Sequence, residues 1–449
     1  MLARNSRIDD LLRDLSDVPV VTEPVRVRKR SRDFFWYSPV LAEELKNVTA
    51  DLLVEAQTEA HVVATAAACA RHGVPLTVRG GGTGNYGQCM PLQGGVVLDI
   101  TGLDKIEWHR DDVVRAEPGI RLNKLDDALR PNGWESRMHP STKRTAALGG
   151  FIAGGSGGVG SVTWGGLVEP GNILAARIVT LEPEPRIIEL RADAAQKINR
   201  AYGTTGIITA LEMPLAPAYP WIDVVVAFDT MEQALRCGQA VAYADGIAKK
   251  LVTPIAWPVP RWFTPLKDAA PDGKSLLLCM IAQNSIEPFK DIVRSGGGTI
   301  TLERPTAEEP GSVPLYEYTW NHTTLQVLKT DRSYTYLQCI YSADAAIEQA
   351  MKMMDMFGDE LMHHFEFIRF GGRMTFSGLP IVRFTSRERL WEIIAAHEAN
   401  GIMVANPHVV TLEDGSRHKR ANADQLGFKR EVDPQGLLNP GKMRSFSPA

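Results

Sequence analysis

The chain has 449 residues, 44% of them hydrophobic and 23% charged, with a formal net charge of −4. That length exceeds one ordinary hydrophobic core and implies two or three domains. The mild acidity gives no electrostatic basis for binding nucleic acid, and no uninterrupted apolar run is long enough to span a bilayer.

The cysteines (Cys69, Cys89, Cys237, Cys279, Cys339) are odd in number and form no C-x-x-C pair, which points to reduced, buried thiols. The N-terminal stretch "MLARNSRIDDLLRDLSD" lacks the apolar segment of a signal peptide, so a cytoplasmic location is expected. The basic run from Arg26 to Arg32 reads as a solvated face.

In chain order, residues 52–56 read as a short buried strand. Thr58 is placed to cap a helix through "EAHVVATAAACARH", with Gly73 at its end and Pro75 preventing continuation. "PLTV" then runs into "VRGGGTGNYGQ", where Gly82, Gly84 and Gly87 spell G-x-G-x-x-G. A Rossmann loop needs a helix opening at the last glycines. Here "QCMPLQGG" and a strand candidate, "GVVLDI", follow instead, so that reading fails. The glycines still suit a nest of converging backbone N–H groups that binds an anion such as a diphosphate, with Arg79, Thr83 and Asn85 adding donors.

Further on, "VVRAEPG" reads as a strand and "LNKLDDALRPNG" as an amphipathic helix ending at Gly133. The stretch from Gly149 to Gly166 holds nine glycines in eighteen residues. So much glycine argues against a core helix or strand, and the interspersed apolar residues argue against a solvated tether. Backbone that must approach something closely is the remaining reading. "AARIVTLE" and "GIITALEMPLAP" read as strands, and the turn-rich "APAYPW" as a boundary. Beyond it "IDVVVAF", "SLLLCMIAQ", "SYTYLQCIY" and "HHFEFIRF" read as strands. With the helices "TMEQALRCGQAVAYAD", "SADAAIEQAMKMMDMFG" and "SRERLWEIIAAHEANG" they predict a second α+β domain with an antiparallel sheet.

Four blocks in order, "PLTVRGGGTGNYGQCMPLQGGVVLDI", "HPSTKRTAALGGFIAGGSGGVGSVTWGG", "YGTTGIITALEMPLAP" and "DPQGLLNPGKM", resemble the flavoproteins of the vanillyl-alcohol oxidase / p-cresol methylhydroxylase superfamily. The resemblance implies an α+β chain, with a PCMH-type FAD-binding fold of two α/β subdomains and a cap domain. It implies an N-terminal extension over 1–45, the FAD-binding domain over 46–217, the cap over 218–425 and a returning segment over 426–449. Gly80, Gly81, Gly82, Thr83, Gly84 and Asn85, with Arg79 before them, would cradle the pyrophosphate. His139, Pro140, Ser141, Thr142, Gly149, Gly150, Gly154, Gly155 and Ser156 would line the flavin and its ribityl chain. Gly206 and Ile208 would meet the adenine end, and Asn439 and Lys442 the flavin edge.

Some members of the superfamily attach flavin through a histidine near the first glycine loop. No histidine lies between His72 and His109, so non-covalent FAD is expected, with Cys89 read as a buried free thiol. The H-x-G-x-G-N-x-H metal motif of the hydroxy-acid dehydrogenases is absent, so no metal is expected. The activity implied is hydride transfer to flavin from an alcohol, a 2-hydroxy acid or a phenolic side chain. The alternatives are an aromatic-alcohol oxidase and a flavin- or nucleotide-binding protein without turnover. Partners would be a small-molecule substrate, an electron acceptor (oxygen, a quinone or an electron-transfer protein) and a second copy in a homodimer.

For the chemistry, the alternation of "HHFEFIRF" places His364, Glu366 and Ile368 on one strand face. His408, after the turn in "NPHVVTLEDG", is the candidate base, with Glu366, Arg383 and His139 as further catalytic candidates. Trp36, Tyr37, Trp320 and Tyr334 are candidate pocket aromatics.

Overall fold

The computed structural model describes residues 2–155, 157–306, 313–413 and 423–448. Its first sheet is parallel at heart. Val96–Asp99 pairs with Leu52–Glu55 on one side and Leu76–Arg79 on the other, and Val20–Val21 adds an antiparallel edge. Val96, Val97 and Leu98 are fully buried, as a central parallel strand covered on both faces requires. The crossover is the helix Glu59–His72. Thr58 Oγ1 accepts from the His61 N–H at 3.3 Å, and Gly73 closes the helix at φ +62°. Both ends follow from the capping residues alone.

The second sheet is antiparallel and built on the long strand Ile207–Pro217, flanked by Val113–Ala116 and Ala175–Val179. Ile106–Arg110 and Ile187–Arg191 lie outside these, and Trp134–Ser136 pairs with the far end of the long strand. Between them, the glycine-rich stretch departs from its reading. It forms two short helices, Leu148–Gly154 and Ser161–Trp164. Leu148, Phe151, Ile152 and Val162 are buried, and tertiary burial outweighs the propensity cost of the glycines.

After Pro217 the chain turns directly into Trp221–Phe228, a central strand of a second antiparallel layer ordered Lys249–Ile255, Ser275–Ala282, Trp221–Phe228, Thr299–Pro305. Helices Met231–Tyr243 and Ile286–Ser295 pack on it, the first opened by a capping box of Thr230 and Gln233. A further sheet, ordered Phe365–Phe370, Arg373–Gly378, Cys339–Ile340, Met403–Val404, shares a continuous core with that layer and with helices Ala346–Phe357 and Arg387–Ala399. "SYTYLQCIY" is not one strand. Tyr334–Tyr336 joins a small sheet with Ile381–Arg383 and Leu361–Met362, while Cys339–Ile340 joins the larger one. The C-terminal segment then returns to the first sheet, where the Leu76 N–H donates to the Leu437 carbonyl at 2.9 Å and the Asn439 N–H to the Leu76 carbonyl at 2.7 Å.

Candidate active site

One cleft of about 1410 Å³, counting its open mouth, gathers the two glycine segments. Gly80, Gly81, Gly82, Thr83, Gly84 and Asn85 line one side, and Pro140, Ser141, Thr142, Gly149, Gly150, Gly154 and Gly155 the other. Gly206 and Ile208 line it as well. The two segments meet closely. A β-carbon on Gly80 would lie 3.1 Å from Ala147 Cβ, and one on Gly81 would strike the Thr145 carbonyl. Gly82 sits at φ +62° over the Arg79 guanidinium, where a side chain is excluded by both conformation and space. Gly150 differs. A β-carbon there would meet nothing within 4 Å, so its missing side chain leaves open room in the cleft. Gln88 ties the two walls together, its Nε2 donating to the Gly154 carbonyl at 3.3 Å.

Several expected ligand residues support the cleft without lining it. The Arg79 guanidinium donates to the Arg32 carbonyl at 2.7 Å from beneath the first glycine loop. Lys442 is fully buried and donates to the Gly87 carbonyl. Burial pulls the Lys442 ammonium down and pushes the Asp33 carboxyl up, and each charge partly offsets the other's shift. Asn439, at φ +44°, donates from Nδ2 to the Gln88 carbonyl at 2.8 Å and the Tyr202 carbonyl at 2.6 Å. These residues hold the loops, and neither Asn439 nor Lys442 lines the cleft itself. Ser156 lies outside the described residues.

A second cavity of about 1630 Å³ adjoins the first, and Gly155, Gly157, Arg200, Trp320 and Gln338 line both. Ile340, Ile368, Phe370, Met403 and Leu412 make much of its described wall apolar. Arg200 stands at the junction at φ +51°, on a loop whose Arg200 and Tyr202 N–H groups donate to the Ile152 and Ala153 carbonyls. Its guanidinium reaches the Tyr202 hydroxyl. No salt bridge joins Arg200 to a carboxylate among the described residues, and the residue lines both cavities.

The catalytic candidates fare differently. His408 is fully buried and lines neither cavity. Its Nε2–H donates to the Tyr336 carbonyl at 2.8 Å, and its Nδ1 lies 2.7 Å from Ser38 Oγ, which itself accepts from the Leu41 N–H. The Nδ1 lone pair is therefore engaged by the Ser38 hydroxyl proton, and the geometry does not place His408 as a base. Arg383 is exposed on its strand and lines neither cavity. His139 is buried behind Pro140, with Nδ1 3.0 Å from the Pro140 carbonyl and its ring edge-on to Tyr316. Burial and the nearby Lys143 and Lys250 charges hold its pKa well below the usual histidine value. Glu366 lies one layer behind the cavities, where burial pushes its carboxyl up to about 8. Of the pocket aromatics only Trp320 lines a cavity; Trp36, Tyr37 and Tyr334 pack together in a side cluster. Asp33, Gln88, Arg200, Tyr202, Trp320, Asn321 and Gln338 line the cleft unannounced as cofactor-site residues. Only Gln88 had a local signal, its position directly after the loop.

The FAD binding domain family matches residues 50–190, which contain both glycine segments. Glycolate oxidase subunit GlcD of Escherichia coli (strain K12) is 30% identical over 197 residues, 40% of this chain and 38% of the relative. D-lactate dehydrogenase of Archaeoglobus fulgidus is 30% identical over 183 residues, 38% of this chain and 40% of the relative. The matches thus span about two fifths of the length of these relatives. A solved structure of alkyldihydroxyacetonephosphate synthase superposes with a TM-score of 0.71 over 97% of this chain and 85% of its own, at 15% identity, which establishes the shared fold. The open room at Gly150 and the glycine-walled cleft fit the FAD named by the matched domain family. Residues 50–190 match the FAD binding domain family, and the chain as a whole shares the fold of the alkyldihydroxyacetonephosphate synthase structure.

Proposed function

We propose that this protein is an FAD-dependent oxidoreductase that oxidises the CH–OH group of a 2-hydroxy acid held in the second cavity. The observation that carries the reading is the junction at Gly155, Gly157, Arg200, Trp320 and Gln338, where the cofactor cleft opens into a second chamber. The names of the relatives, glycolate oxidase and D-lactate dehydrogenase, favour a hydroxy acid over an aromatic alcohol. Bound FAD supplies a two-electron acceptor for the hydride of the substrate C–H bond.

The chain's own residues bind and orient. The glycine loop 80–85 offers backbone donors to the diphosphate. Arg200 pairs with the substrate carboxylate at the chamber mouth, and the apolar walls exclude water around the reacting carbon. The flavin is read as held without a covalent link; burial pushes the Cys89 thiol that lines the cleft up to about 11, which disfavours its thiolate.

The test is anaerobic mixing of the flavin-loaded protein with glycolate, D-lactate, longer 2-hydroxy acids and aromatic alcohols. Bleaching of the flavin by the hydroxy acids is expected, and bleaching by none of the compounds would return the protein to a flavin binder without turnover. Arg200→Met removes a charged hydrogen-bonding group, so KM for the acid should rise roughly 10- to 100-fold. An unchanged KM would take Arg200 out of the site.

A further inference from the structure

Trp320 has a backbone that its side chain disfavours, at φ +54° and ψ −138°. That combination belongs to the first central position of type II′ turns, where glycine is the usual occupant. Two buried groups hold it there. The Trp320 N–H donates to Glu366 Oε1 at 2.6 Å, and the Trp320 carbonyl lies 3.1 Å from His364 Nε2. Glu366 Oε2 is in turn bonded to the Thr253 hydroxyl. The clamp spans two sheets, because Thr253 lies on Lys249–Ile255, Glu366 on Phe365–Phe370, and an isolated bridge joins Ile255 to His364.

The indole so held lines both the cofactor cleft and the second cavity, facing Gly157, where a β-carbon would sit 3.6 Å from Cη2. Its Nε1 is buried without a hydrogen-bond partner among the described residues. Strain of this kind persists only where the surroundings over-determine it, and it concentrates at functional sites.

We propose that Trp320 is the partition between cofactor and substrate, and that Glu366 and His364 are its positioning residues. Glu366 then acts through the Trp320 backbone and does not touch substrate. The idea rests on the reading that the second cavity takes the substrate.

The test uses the flavin-loaded protein and the variants Trp320→Phe, Trp320→Ala, Glu366→Gln and Glu366→Ala. Two readouts are taken, the visible circular dichroism of the bound flavin, which reports the asymmetric wall beside its ring, and kcat and KM for the acid that bleaches it. Trp320→Phe keeps an aromatic wall of smaller area, so the flavin band should shift less than in Trp320→Ala. Trp320→Ala should change both. Glu366→Ala should reproduce the Trp320→Ala flavin band, and Glu366→Gln, which keeps an acceptor for the Trp320 N–H, should stay close to the parent protein. A parent-like flavin band in Trp320→Ala overturns the partition, and a parent-like band and KM in Glu366→Ala overturn the clamp. If Glu366→Ala does not fold, Thr253→Val, which loosens Glu366 alone, takes its place with the same expected direction. If no hydroxy acid reduces the flavin, the proposed activity falls while the flavin band still decides the partition.

Discussion

At the scale of single residues, the glycines of the cleft are absent side chains for different reasons. Gly82→Val would disturb the loop by its φ of +62° and by collision with the Arg79 guanidinium, so lost flavin there does not isolate cofactor contact. Gly150 is the cleaner probe, because an added β-carbon meets nothing within 4 Å. Gly150→Leu should fold with an undiminished Tm, helped by the better helix propensity of leucine, yet purify without its yellow flavin absorbance. Retained flavin in that variant would move the cofactor away from Gly150. Glu366 supplies a second test. Burial raises its carboxyl from 4.5 to about 8, so between those values the folded chain holds a proton that the unfolded chain has released. Its contribution to stability is therefore full at low pH and falls as pH rises across that window, by up to about 1.4 kcal/mol per pH unit. Glu366→Gln removes the effect, so the Tm of the parent relative to this variant should be lower at pH 8 than at pH 5. An equal gap at both pH values would mean that the carboxyl titrates normally.

At the scale of elements, the returning C-terminal segment does more than close the sheet. It extends the parallel layer beside Leu76–Arg79 and carries Asn439 under two loops that line the cleft. Asn439→Ala leaves the half-buried Gln88 carbonyl and the buried Tyr202 carbonyl without that donor. Each unsatisfied group costs about 1–3 kcal/mol, so a drop in unfolding free energy of about 2 kcal/mol is expected, together with weaker FAD retention on dialysis. Unchanged retention would make the segment a sheet edge only. Local rules explain the elements whose ends are capped, such as Glu59–His72 after Thr58 and Met231–Tyr243 after Thr230. They fail for Leu148–Gly154, where burial of Leu148, Phe151 and Ile152 makes a helix from glycine-rich sequence. They fail also for "SYTYLQCIY", which the fold divides between two sheets.

At the scale of the molecule, the cofactor cleft is walled by residues from distant parts of the chain, with Asp33, Gly150, Arg200 and Trp320 on one surface. A ligand that binds only this assembled state stabilises it by mass action. FAD added to the flavin-free protein at about 100 times its Kd should add about 2.7 kcal/mol and raise Tm accordingly. An unmoved Tm would mean that the cleft does not take FAD. No helix among the described residues is long and apolar enough to cross a membrane.

The glycine loops, the capped helices and the FAD-binding region were legible in the sequence, because each rests on contacts between near neighbours. A nest of N–H groups needs glycines in succession, a cap needs one side chain beside one helix end, and four ordered motif blocks need only to be read in line. The two glycine walls of the cleft were legible for the same reason. The catalytic surroundings were not. His408 has the residue type of a base, yet Ser38 and Tyr336, distant in sequence, engage both ring nitrogens. Alternation put His364 and Glu366 on one face, and the tertiary structure showed that the face meets the backbone of Trp320. Whether a polar side chain faces a cavity or a buried neighbour depends on which distant segment packs against it, and only the folded chain decides that.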